Sequence, residues 1–113
     1  MIINNLEWSK IKKWNKTFRE IKIPKGWRLP TVTRLKSIYE TDKAEKFDKE
    51  YMKKWHWFFC QQTKYAKENN YLSRVCFDWG GDVDSYYDVL RDSDDDGRVV
   101  FCREIKQKLT EKK

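Results

Sequence analysis

Between residues 7 and 20 the apolar positions fall at Trp8, Ile11, Trp14 and Phe18, with charged and polar residues between them. Steps of three, three and four place them on one stripe of a helix. Asn4 or Asn5 is available to cap its start. Residues 21–30 break the pattern: Pro24 holds Ile23 extended, and Lys25-Gly26 marks a turn. Thr31, after Pro30, is a good N-cap. Val32, Leu35 and Ile38, with Tyr39 beside them, form the inner side of a short second helix. Residues 40–54 are densely charged, with Phe47, Tyr51 and Met52 as a weak apolar face, and predict a surface helical turn or ordered loop.

From Trp55 the pattern changes. Trp55-His56-Trp57-Phe58-Phe59-Cys60 is a compact aromatic run, which predicts a strand entering the core. Residues 61–70 read as a polar loop turning at Asn69-Asn70. The next strand begins at Tyr71 and alternates, with Arg74, Cys76 and Asp78 on one face and Val75, Phe77 and Trp79 on the other. Gly80-Gly81 is a turn. Residues 82–90 predict a further strand, 91–97 a loop and 98–105 a closing strand, with the tail from Lys106 fraying. Two helices followed by an antiparallel sheet with long loops make an α+β layout.

Composition fits this picture without naming a function. The chain has 113 residues, of which 16% are aromatic and 38% charged, enough for one small folded domain and too little for a multidomain enzyme. The net charge of +7 hides a segregation. Residues 1–77 carry 18 Lys and Arg against 8 Asp and Glu, whereas residues 78–96 carry 8 Asp and only Arg91. Lys10, Lys12, Lys13 and Lys16, extended by Lys43, Lys46, Lys49, Lys53 and Lys54, form a candidate surface for a polyanion. The patch is poor in arginine and fits no nucleic-acid motif, so nucleic acid is not the expected partner.

Cys60, Cys76 and Cys102 are too few for a secreted disulfide framework and read as small buried hydrophobes in a reducing compartment. Cys76 and Cys102 both sit in strand-like runs, which leaves a bridge between them open. No basic n-region or apolar h-region follows Met1, and no run approaches a membrane span. A cytoplasmic protein without a membrane partner is expected.

Glu7-Trp8-Ser9, then Gly26-Trp27-Arg28-Leu29-Pro30-Thr31, then an aromatic strand at Trp55–Phe59, a Gly-Gly turn after Val75 and a closing Val99-Val100-Phe101-Cys102-Arg103 occur in one order. That order resembles the DUF1566 or Lcl C-terminal domain family. The resemblance covers roughly residues 7–105, and the Trp-Arg-Leu-Pro-Thr piece is its most specific part. It implies a C-type-lectin-like fold with two N-terminal helices packed on a small antiparallel sheet, as a single domain over 1–113. It also implies a binding role, to a polyanion or glycan. Read from the residues alone, Trp27 and Leu29 plug the core and Arg28 between them reaches a loop carbonyl or carboxylate.

The candidate binding residues cluster in the acidic stretch: Trp79, Asp82, Asp84, Tyr86, Tyr87, Arg91, Asp92, Asp94, Asp95, Asp96 and Arg98. Aromatics beside carboxylates suit protein interfaces and sugar sites alike. Asp92, Asp94, Asp96 and Gly97 copy the opening of a calcium loop, but its twelfth position is Arg103 in place of glutamate, so no metal is assigned. His56 reads as structural. No phosphate loop, nucleophile elbow or zinc cluster occurs, so neither catalysis nor a cofactor is expected. The expected function is a non-catalytic domain engaging a protein partner through the acidic, aromatic-flanked loops. Its small size suits a stand-alone effector of the kind phages or mobile elements encode. The alternative is a polyanion or glycan module using the basic first helix and loop aromatics.

Overall fold

The computed structural model describes residues 1–78 and 80–105. In chain order the elements are β1 (Ile2–Ile3), β2 (Leu6–Trp8), β3 (Lys12–Lys13), a 3-10 turn (Phe18–Glu20), α1 (Val32–Ile38), α2 (Ala44–Phe47), β4 (His56–Cys60), α3 (Lys64–Asn69), β5 (Tyr71–Phe77), β6 (Val83–Val89), β7 (Gly97–Val99) and β8 (Cys102–Glu104). This is a mixed α+β fold. A small sheet has the order β1-β2-β8, and a larger one the order β3-β7-β4-β5-β6. β4 and β7 pair in parallel, and the other pairings are antiparallel.

The apolar run Trp57–Cys60 within β4 has a physical reason: this central strand is buried on both faces. Trp57 and Phe59 join Leu29, Leu72, Cys76 and Phe101 in one apolar cluster. Phe58 and Cys60 join Val75, Phe77, Leu35 and Ile38 in the other, under α1. The register fixes the split, because Trp57 lies opposite Cys76 and Phe58 opposite Val75. A strand's side chains alternate between faces.

The first predicted helix is absent, and with it the expected pair of N-terminal helices; α1 is the first α-helix among the described residues. Residues 7–20 run instead as β2, β3 and the 3-10 turn. Trp8 packs in the cluster of Phe58, whereas Trp14 and Phe18 pack against the cluster of Trp57. The apparent stripe therefore serves two cores. The C-terminal segment supplies backbone partners that outweigh helical spacing, which is a weak prior. Trp8 pairs with Cys102 and Lys12 with Val99. The Ser9 N–H donates to the Phe101 carbonyl at 2.9 Å, and the Ser9 hydroxyl accepts from the Phe101 N–H at 2.9 Å.

Other expectations hold. Thr31 caps α1, its hydroxyl accepting from the Arg34 N–H at 3.1 Å. Gly26 adopts the left-handed φ of 85° that its turn requires. Leu29 is buried, Trp27 half-buried, and Arg28 holds the Glu104 carboxylate at 2.9 Å. β4, β5 and β6 lie where their patterns place them. Two further differences appear. The expected polar loop at 61–70 contains α3, capped by the Thr63 hydroxyl and ended by Asn70 at φ 61°. The expected single closing strand divides into β7 and β8, which belong to different sheets, with buried Val100 and Phe101 crossing between them.

All three cysteines are free and buried, without a Cys76–Cys102 bridge. Among the described residues no helix is long and apolar enough to cross a membrane. The expected frayed tail lies outside the described residues.

Candidate functional site

β6 is the last strand of the larger sheet, hydrogen-bonded to β5 on one side only among the described residues. Its register sets Asp84 opposite Cys76, Tyr86 opposite Arg74 and Asp88 opposite Leu72, so these three share one face. Ser85, Tyr87 and Val89 take the other face. Tyr86 is 50% exposed, Tyr87 47% and Val89 42%. Tyr87 packs against Tyr65 of α3 at 5.0 Å between ring centroids, with Tyr71 at 6.4 Å, and accepts a hydrogen bond from the Thr63 hydroxyl at 3.2 Å. Tyr86 donates to Asp84 at 3.4 Å, and the Asp84 charge raises its phenol above the ordinary range.

Arg74 organises the acidic loop. Its guanidinium lies 3.0 Å from Asp88 and 3.4 Å from Asp92, and stacks over the Trp57 ring at 4.8 Å. The Trp57 indole in turn donates to Asp94 at 2.9 Å, and the same Asp94 oxygen accepts from the Asp96 N–H at 2.9 Å. Burial, then the neighbouring Asp88, raises the Asp92 carboxyl above the ordinary value, with Arg74 opposing. Arg74 Nε is buried without a hydrogen-bond partner among the described residues. Beside it a shallow basin of about 300 Å³ is lined by Arg74, Cys76, Asp78, Asp82, Asp84 and Tyr86.

The eleven predicted residues therefore divide by task. Asp92 ties the loop to β5 through one oxygen beside Arg74, and Asp94 ties it to β4 through one oxygen that accepts from Trp57 and from the Asp96 N–H. Arg98 is 1% exposed and pairs with Glu50, so it belongs to the interior. Asp95 lends its carbonyl to Arg98 at 3.1 Å while its residue stays exposed, and Asp96 is half-buried. Asp82, Asp84, Tyr86, Tyr87 and Arg91 face solvent along β6 and its ends. Trp79 lies outside the described residues.

A second polar group lies in the interior. His56 Nε2 is 2.6 Å from Asp48, and Nδ1 is 2.8 Å from the Lys54 carbonyl. With an acceptor at each nitrogen, the ring is satisfied as the imidazolium, both N–H groups donating. Burial pulls its pKa down, but the Asp48 hydrogen bond and charge, the Lys54 carbonyl and the Glu50 charge hold it above the usual value. Tyr39 donates to the same Asp48 oxygen at 2.8 Å; burial, then Asp48, raises that phenol far above its ordinary value. Glu50 completes a set whose ligand atoms lie within 4.8 Å of one another.

A scan against family models, a search of curated proteins and a search of solved structures each find no match to this chain.

The Asp48–His56–Glu50 group was not visible in the sequence as a site. Asp48 sits in a run of charges, and only β4 pairing and the α2 turn bring it to His56. The open edge had a signal: a polar strand with adjacent Tyr86 and Tyr87 cannot bury both rings.

Proposed function

We propose that this chain is a non-catalytic binding domain that engages a protein partner along β6 and the acidic turns at its ends. One observation carries the reading: a sheet edge that is open among the described residues bears exposed Tyr86, Tyr87 and Val89 beside the exposed carboxylates of Asp82 and Asp84. An unpaired edge offers backbone donors and acceptors to an incoming strand, and the flanking side chains select it. A second copy of this strand is disfavoured, because antiparallel pairing centred on Tyr86 sets Asp84 against Asp88. A lysine- or arginine-bearing extended segment is the complementary partner.

The closure of β2 on β8, and the bridge between Arg28 and Cys102 that ties the Trp-Arg-Leu-Pro-Thr segment to it, favour a C-type-lectin-like scaffold. His56 favours the non-catalytic reading, since both ring nitrogens are committed and its side chain is inaccessible. A photo-crosslinking amino acid at position 86 or 87 should capture a partner that one at exposed Ile23 or Met52 does not. Asp84→Lys should abolish that product. Equal capture from all four positions would sink the reading.

A further inference from the structure

On another face, independent of the β6 edge, residues distant in sequence enclose a groove of about 600 Å³. That volume lies within the range that holds small organic ligands. Trp8, Ile11 and Phe47 supply apolar wall, and the lining as a whole is mostly apolar. Four lysines stand around it: Lys10 and Lys13 from the β2–β3 segment, Lys46 and Lys49 from α2 and the turn after it. All four are exposed, and none makes an ion pair among the described residues. The two carboxylates that border the groove are already compensated. Asp48 is held by His56 and Tyr39, and Glu50 by Arg98. The uncompensated charge facing the groove is therefore positive.

We propose that this groove binds a small amphiphilic anion, with an aliphatic or aromatic body against Trp8, Ile11 and Phe47 and a carboxylate or phosphate head among the lysines. Affinity comes from the ligand's own apolar area removed from water, since Trp8 and Phe47 are already almost fully buried. The lysines select charge as mobile point cations, without the planar fork that would demand one head geometry. The shape decides against a long polyanion: a phosphate or sulfate chain tracks an extended positive surface and leaves an apolar wall unused.

The test uses the whole chain with decanoate, decyl phosphate and the neutral 1-decanol as probes, read by the Trp8 indole N–H resonance and by calorimetry. Decanoate or decyl phosphate should bind one to one and move the Trp8 signal, and comparison of the two names the preferred head. 1-Decanol should bind about tenfold more weakly. Lys10→Glu with Lys49→Glu, both at exposed positions, should weaken the anions about tenfold and leave 1-decanol unchanged. Ile11→Asp should weaken all three probes, and the exposed lysine pair keeps the test valid if that variant unfolds. Equal affinity for 1-decanol, an unmoved Trp8 signal, or lysine-dependent heparin binding with no decanoate binding would each overturn the proposal.

Discussion

Arg98 and Glu50 meet across 48 positions of sequence in a two-pronged ion pair, with Nε 2.9 Å from one carboxylate oxygen and the second guanidinium nitrogen 3.2 Å from the other. The pair is lopsided. Arg98 is 1% exposed at its side chain, whereas Glu50 is 34% exposed. Water already reaches Glu50 and can solvate it if its partner is lost, whereas Arg98 is covered. Removing one member of a buried pair strands the other charge, and that accounts for most of the loss.

Glu50→Ala should therefore destabilise by about 3 kcal/mol, and Arg98→Met, which keeps the volume, by about half of that. Urea titrations of the two variants give the comparison. A larger loss for Arg98→Met would show that packing or the Asp95 and Gly97 carbonyls, not the stranded charge, dominates.

His56 predicts a pH dependence whose sign follows from its raised pKa. The folded state keeps the imidazolium proton at a pH where the unfolded chain, near 6.5, has lost it. The stabilisation is complete below about 6.5 and falls as pH rises through the folded value, with a slope of at most about 1.4 kcal/mol per pH unit for one proton. Urea midpoints measured from pH 6 to 9 should decline over that window, and His56→Phe should remove the component. A wild-type stability that rises across the same interval in step with His56 titration would contradict the assignment.

Gly97 has no space for a side chain. A Cβ there would stand 2.5 Å from the Trp14 carbonyl. That backbone is held in place, because the Trp14 N–H donates to the Gly97 carbonyl at 2.9 Å. Gly97→Ala should cost about 2 kcal/mol, as overpacking does, and lower Tm by roughly 10 °C in a domain of this size. An unchanged Tm would mean that β3 and β7 separate without penalty.

The three thiols should be sluggish in the native state. Burial pushes Cys76 up to about 11 and Cys60 further, while Cys102 is also raised. At pH 8 the Cys76 thiolate fraction is then about a hundredfold below that of an ordinary cysteine, since reactivity follows the thiolate. Alkylation followed by mass spectrometry should find Cys76 modified slowly in the folded protein and all three sites modified rapidly in urea. Fast labelling of Cys60 without denaturant would exclude the packing described.

Elements whose sequence signal and tertiary role agree were legible. β4 shows its double burial as an unbroken aromatic run, and α1 shows Thr31 ahead of Leu35 and Ile38. The first segment misled because Trp8, Ile11, Trp14 and Phe18 have helical spacing for an unrelated reason: the chain crosses from one core to the other. α3 was hidden because Ala66 is its only buried residue, so no apolar stripe marked it. The division of 98–105 had no local sign, because it depends on which sheet each half finds. The acidic stretch was legible as a charge pattern, but its separation into structural Asp92 and Asp94 and exposed Asp82 and Asp84 depends on Arg74 and Trp57. The lysine cluster was visible, whereas the groove it rims needs β2, β3 and α2 in place.

The segment from Gly97 to Glu104 gives a strand to each sheet, pairing with β3 and β4 through one half and with β2 through the other. Its partners include residues made at the opposite end of the chain. During synthesis β2 can pair with β1 at once, but it must wait for roughly ninety further residues to meet β8, and β3 waits about as long for β7. Helical hairpins close early over short loops, whereas pairings of such long range are formed late and slowly. For that interval Trp8 and Trp14 lack their native cover, so this domain depends on the emerging chain being kept from aggregation until its last strands arrive.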